Sequence, residues 1–334
     1  MAALTSDNPH LSELTVVDLP DQLVTTFAVN CKRAEEGAEA DVAERVRRLV
    51  QAATSPNTRR AYRSDLAHFL ANGGKLPATP ADVSAYLARY AGELAIATLA
   101  RRLVAIGRAH TSKNLVNPCL AELVRLTLRG IRRTYGRPQR QARALSKEEI
   151  NSIVATFGNS LRDVRDRALL LIGFYGAFRR SELSAVDCKS IVRLNHGIVI
   201  TIRKSKTDQE RKGRDVAIPQ SGGSICPVRA LECWIEASGI VEGPVFCPID
   251  RAGRISKAAL SADAVSVILK RRLKETGCDP SDYSGHSLRA GFVTEAVNAG
   301  IPTWKIRRQT GHSSDGMLDR YIRQVEAFSE QWRI

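Results

Sequence analysis

The reading of this chain turns on Gly285-His286-Ser287-Leu288-Arg289-Ala290-Gly291, with Gly311-His312 following 23 residues after Arg289 and Tyr321 a further nine residues on. A lone histidine is more often a satisfied hydrogen-bonding residue than a catalyst, and a lone tyrosine is usually half-buried packing. Two upstream clusters change that balance. In Gly176-Ala177-Phe178-Arg179-Arg180-Ser181-Glu182-Leu183 a carboxylate lies about one helical turn after the first arginine, placed to hold Arg179 for bidentate phosphate contact. Arg203-Lys204-Ser205-Lys206-Thr207-Asp208 puts two lysines at the tip of a strand pair. Each cluster alone reads as a surface salt bridge or a solvated turn. Together they supply what phosphoryl transfer needs: a nucleophile, fixed positive charge and a proton donor.

Working outward, Gly197–Arg203 and Asp215–Pro219 alternate as two strands across that lysine-bearing connection. The rest of the C-terminal half has helical periodicity. Ser146 and Glu149 form a capping box opening a helix through Phe157. Residues 137–144 are basic, interrupted by proline and without apolar period, and read as a linker. Residues 45–136 read as an all-helical bundle. Its first helix opens at Ser55-Pro56, with Tyr62, Leu66, Phe69 and Leu70 on one stripe; the second is capped by Thr79-Pro80. A third covers about 97–111, and Asn117-Pro118 caps a fourth to about Tyr135. Residues 1–44 read as an acidic mobile arm with a short helix near 41–54. The expected fold is therefore mainly α: a helical module, then a mixed but mostly helical domain over 145–334 with a small β-sheet or hairpin.

Charge says most about the partner. Fifty Lys and Arg against 35 Asp and Glu leave +15, which makes a polyanion the default ligand. The excess is uneven: residues 1–44 carry −7, residues 45–143 +15 and the remainder +7. Candidate contacts to such a polyanion are Arg59, Arg60, Arg63, Arg101, Arg102, Arg129, Arg132 and Arg133 on the helical module, Arg140 in the linker, and Lys270, Arg271 and Arg272 on a helix around 261–276. With 43% hydrophobic and only 5% aromatic residues the chain is globular and favours helices over a sandwich. No apolar run is long enough to span a membrane, and the N-terminus lacks a secretory pattern. Seven scattered cysteines without a Cys-x-x-Cys pair imply reduced thiols and no structural metal.

The ordered set Arg179, Lys206, His286-x-x-Arg289, His312 and Tyr321 resembles the tyrosine recombinase (phage integrase) family, and so do the phrases around it. The resemblance runs from about Ser55 to the C-terminus and is nearest the simple, Cre-like members that lack an arm-binding domain. It implies a SAM-like core-binding domain followed by a catalytic domain. It also implies site-specific recombination through a covalent 3′-phosphotyrosine and a Holliday junction, without metal, ATP or other cofactor. Tyr321 would be the nucleophile, while Arg179 and Arg289 would hold the phosphate oxygens. His286 would transfer or position a proton, His312 would donate to the phosphate, Lys206 would be the general acid and Glu182 would orient a neighbouring group. Lys204 stands two residues from Lys206, on the same strand face, so alternation does not separate them; Lys-Thr-Asp in the family phrase favours Lys206. The motif's spacing to Glu182 favours Arg179 over Arg180.

The implied partners are double-stranded DNA with an inverted-repeat site and a homotetramer of two protomers per site, joined by exchange of the helical tail after Tyr321. Need for accessory proteins stays open. The implied setting is a bacterial, phage or plasmid-encoded, nucleoid-associated cytoplasmic protein. The alternatives are a type IB topoisomerase or telomere resolvase, and a non-catalytic DNA-binding regulator.

Overall fold

A computed structural model describes residues 36–137, 142–203, 213–223, 225–312, 314–319 and 321. The chain divides into two compact units, Met1–Gln139 and Arg140–Ile334.

The described part of the first unit is five α-helices: α1 (Glu36–Ala52), α2 (Pro56–Ala71), α3 (Pro80–Arg89), α4 (Ile96–Thr111) and α5 (Glu122–Tyr135). Their starts are written locally. Ser55 Oγ accepts the Thr58 amide at 3.1 Å ahead of Pro56, and Thr79 with Asp82 forms a capping box ahead of Pro80. Two boundaries depart from the sequence reading. Helix α1 begins at Glu36, upstream of the expected start. Asn117 caps only a 3₁₀ turn, Pro118–Leu120; Ala121 returns to extended backbone (φ −62°, ψ 144°), so α5 starts afresh at Glu122. Leu66, Phe69, Val83, Leu87, Leu99, Ile106 and Val124 make the core. Buried His110 braces it, its Nε2 accepting from the Ala78 amide and its Nδ1 donating to the Ile106 carbonyl, both at 2.8 Å.

The second unit follows as α6 (Lys147–Ala155), α7 (Leu161–Tyr175), α8 (Arg180–Ser184), strands β1 (Ile191–Leu194), β2 (Gly197–Ile202) and β3 (Arg214–Pro219), then α9 (Pro227–Ser238), α10 (Ala262–Glu275), α11 (Ser287–Asn298) and α12 (Thr303–Thr310). The strands form an antiparallel sheet in the order β1-β2-β3. Ile200 lies opposite Val216 and Ile198 opposite Ile218, so one face of the β2–β3 pair enters the core while Thr201 and Asp215 pair on the other. Strand β1 was not read from the sequence: four residues long, at the sheet edge and mostly exposed, it has too little alternation to register. Helix α7 is the centrepiece, buried from Ala168 to Phe174 and packed against α9 and α11. A smaller cluster of Ala290, Val293, Ala296, Ile306, Leu318 and Tyr321 joins α11, α12 and the end of the described chain. Among the described residues no helix is long and apolar enough to cross a membrane.

Candidate active site

The site assembles where three chain reversals in the second unit meet. The first follows α7. Ala177 takes a left-handed backbone (φ 50°), and its carbonyl accepts a hydrogen bond from Arg289 Nη1 at 2.8 Å. Two residues on, Arg179 caps α8, and Glu182 answers it twice: Oε2 accepts the Arg179 amide at 3.0 Å and Oε1 accepts Nη1 at 2.7 Å. The carboxylate three residues after the arginine thus aims its side chain, as the spacing suggested. Arg180 points elsewhere, donating to Asp263 and to Ser266, both at 3.1 Å.

The second reversal opens α11. His286 sits exposed at its start, its amide donating to Ser284 Oγ at 3.1 Å, and Arg289 lies one turn in, 1% exposed. Gly291 permits this approach: a Cβ there would run into the Leu145 carbonyl and the Phe174 ring.

The third closes α12. Gly311 ends it in a left-handed conformation (φ 69°), and its carbonyl accepts from Arg179 Nη2 at 3.3 Å. His312 Nδ1 and Thr310 Oγ1 share a hydrogen bond of 2.9 Å. A short turn later Tyr321, 7% exposed, packs among Ala290, Val293 and Leu318 within electrostatic reach of Arg289.

Electrostatically the site is a concentration of positive charge with one buried acid. Burial and the charges of Arg179 and Arg214 hold the Arg289 guanidinium down to about 9. Burial, then Arg289, Arg179, His286 and Arg214, push the His312 imidazole down to about 3. Burial would raise the Glu182 carboxyl, but Arg214 and Arg179 bring it below its ordinary value, so it stays ionised. Arg289 Nη2 is buried and has no hydrogen-bond partner among the described residues. A guanidinium so placed carries an unmet demand for an oxygen acceptor, which an anion in the cluster would meet. No group of three or more His, Cys, Asp or Glu suited to a metal occurs among the described residues.

Arg179, Glu182, His286, Arg289, His312 and Tyr321 are therefore brought to one locality. Lys206, its rival Lys204 and the tail 322–334 lie outside the described residues, as does Arg140. Of the other candidate DNA contacts, Arg60, Arg63, Arg129, Arg132 and Arg133 are exposed; Arg59 is half-buried and donates to the Gln51 and Thr54 carbonyls; Lys270 is half-buried. Arg101 and Arg271 are each half-exposed but already bound to a carboxylate, Asp65 and Asp166, at 2.6 Å.

Two expectations are corrected. Arg102 is 7% exposed and donates to the Tyr86 hydroxyl at 2.6 Å beside Asp65, inside the helical core. Arg272, also 7% exposed, is held by Asp166 and Asp163 at 2.7 and 2.6 Å and lies over the Phe157 ring. Both guanidiniums are engaged within the protein, so neither is a phosphate ligand.

Sequence reasoning missed Arg214, whose Nη2 donates to Glu182 Oε2 at 2.7 Å, and the carbonyls of Ala177 and Thr310. Arg214 left a signal. It stands two residues before Val216 on the inward face of β3, where an arginine must find a partner.

Comparison with known proteins agrees over most of the length. The model of the phage integrase family matches residues 143–327, and that of the phage integrase N-terminal SAM-like domain matches residues 47–111. An integrase/recombinase xerD homolog of Selenomonas ruminantium is 33% identical over 296 residues, covering 86% of this chain and 87% of that protein. Tyrosine recombinase XerC of Myxococcus xanthus is 27% identical over 286 residues, with 80% and 87% covered. In fold, the chain is similar to the XerH site-specific recombinase in its post-cleavage complex with palindromic difH substrate (TM-score 0.60, 18% identity, 93% of this chain and 87% of that one). It is also similar to a lambda integrase dimer bound to a COC′ core site (TM-score 0.58, 16% identity, 93% and 86% covered). A buried arginine cluster beside a tyrosine, a SAM-like helical unit ahead of it and these matches lead to one conclusion: the chain belongs to the phage integrase family and is a tyrosine recombinase.

Proposed function

We propose that this protein cleaves and rejoins DNA at a specific site through a covalent 3′-phosphotyrosine formed by Tyr321. The observation that carries the reading is the buried Arg289 with an open Nη2, set among Arg179, His286 and His312 and within electrostatic reach of a tyrosine. A scissile phosphate supplies the missing acceptor. Its non-bridging oxygens are gripped by two guanidiniums, whose planar forks suit the charge that builds on an in-line phosphorane. His312 donates to the same oxygens and His286 positions or transfers a proton. The Tyr321 oxygen attacks phosphorus, a P–O bond to tyrosine forms, and the P–O5′ bond breaks. The phenol gives up its proton and the 5′ oxygen gains one, for which Lys206 on the β2–β3 connection is the assigned donor. The phosphodiester energy is kept in the tyrosyl ester, so strand rejoining needs no ATP, and fixed guanidinium charge does the neutralising that a metal would otherwise do.

The exposed arginines of α2 and α5 take the DNA backbone, within a core-binding domain over 45–136 that is joined by residues 137–144 to the catalytic domain. Two protomers per inverted-repeat site, and four per synapse passing through a Holliday junction, complete the reading.

The test is a nicked suicide duplex carrying the native site, incubated in EDTA without ATP and run on a denaturing gel. Wild type traps a covalent protein–DNA adduct and Tyr321→Phe does not. Tight, specific binding without any adduct would sink the reading in favour of a non-catalytic DNA-binding regulator.

A further inference from the structure

Arg214 opens β3 opposite Ile202 and shares the inward face of Val216 and Ile218, with only 13% of its side chain exposed. A charge placed there must be matched, and the two terminal nitrogens of its fork are matched by different parts of the site. Nη2 donates to Glu182 Oε2 at 2.7 Å, and Nη1 donates to the Thr310 carbonyl at 2.6 Å. Each acceptor leads on to a group at the phosphate seat. The other Glu182 oxygen holds Arg179 Nη1 at 2.7 Å, and the Thr310 hydroxyl holds His312 Nδ1 at 2.9 Å. Between them Gly311 folds so tightly over the guanidinium that a Cβ would run into Arg214 Nη1.

We propose that Arg214 is a positioning residue of this active site: it clamps Glu182 to the Thr310–His312 turn and so sets the placement of both Arg179 and His312. It acts through these neighbours rather than on the substrate, because both terminal nitrogens of its fork are occupied and its Nε, without a partner among the described residues, is buried away from solvent. A planar fork bridging two acceptors on separate elements is the feature required, and an ammonium, a single point of charge, does not reproduce it. The clamp also brings a positive charge to His312. Arg289 on α11, His286 just ahead of α11 and Arg179 just ahead of α8 face the same imidazole, with ionised Glu182 behind Arg179.

The inference rests on the recombinase reading, and the test separates the two. Single-turnover adduct formation on the nicked site duplex is measured across pH for wild type, Arg214→Gln and Arg214→Lys, alongside site affinity and thermal stability. Arg214→Gln is expected to slow adduct formation about 10- to 100-fold with site affinity within about threefold of wild type. Its acid limb moves to higher pH, because the Arg214 charge that most strongly keeps buried Glu182 ionised is gone, and a protonated Glu182 no longer holds the Arg179 guanidinium. Arg214→Lys recovers less than about a tenth of the lost rate, and should Arg214→Gln not fold, Arg214→Lys carries the test alone. Full rescue by lysine, a wild-type rate in either variant, or a rate loss that only tracks lost affinity with an unmoved pH profile would each overturn the assignment. Wild type giving no adduct at all would overturn the recombinase reading, and this inference with it.

Discussion

Arg289 and Arg272 are both buried arginines, and they do opposite things. Arg272 is matched by Asp163, Asp166 and Glu275, whereas Arg289 has one carbonyl partner and an open nitrogen. Their substitutions should therefore separate stability from chemistry. Arg289→Lys loses the fork and is expected to lower the cleavage rate about 10²- to 10³-fold in a single-turnover assay. Arg272→Ala strips a partner from buried Asp166 and should cost about 3 kcal/mol in urea unfolding. It should leave the salt slope of DNA binding unchanged, while Arg132→Ala, on the exposed face of α5, reduces that slope by about 1. From the sequence Arg272 and Arg132 look alike, whereas the His286-x-x-Arg289 motif sets Arg289 apart. What separates them is the partner, and the buried acids that engage Arg272 and Arg102, Asp166 and Asp65, lie on other helices far off in the chain.

Among elements, α11 has the tightest constraint. His286 stands just ahead of it, its first turn carries Arg289, and Gly291 brings it against Leu145, whose amide donates to the Ser287 carbonyl at 3.1 Å. Gly291→Ala must push α11 off this seat and is expected to cost about 1–3 kcal/mol, read as a lower Tm together with slower cleavage. The helix starts were legible because a cap is a local device: Ser55, Thr79 and Ser146 each accept an amide three residues on. The Asn117 start was misplaced because the same signal serves a 3₁₀ turn, and only the extended backbone at Ala121 tells the two apart. Strand β1 was invisible for a related reason, since an edge strand of four residues is defined by its pairing with β2 rather than by its own pattern.

For the molecule as a whole, burial of His312 together with the positive charge around it makes stability depend on pH. His312 is held at about 3 in the folded protein against an ordinary 6.5, so the unfolded chain takes up a proton first as pH falls. The contribution is fully present above about 6.5 and is lost progressively as pH drops from there toward 3. The Tm of the DNA-free protein should therefore fall across this window in a thermal-unfolding series, and His312→Asn should make the fall shallower. By itself the sequence determined the order of chemical residue types, the helix starts and the excess of basic charge, because each is a property of neighbouring residues or of composition. Only the tertiary structure decided which guanidiniums are consumed by carboxylates, that Arg289 keeps an open terminal nitrogen beside the other site residues, and that Arg214 links Glu182 to the His312 turn. Those pairings join residues dozens to more than a hundred positions apart, and packing, not local pattern, sets which of them meet.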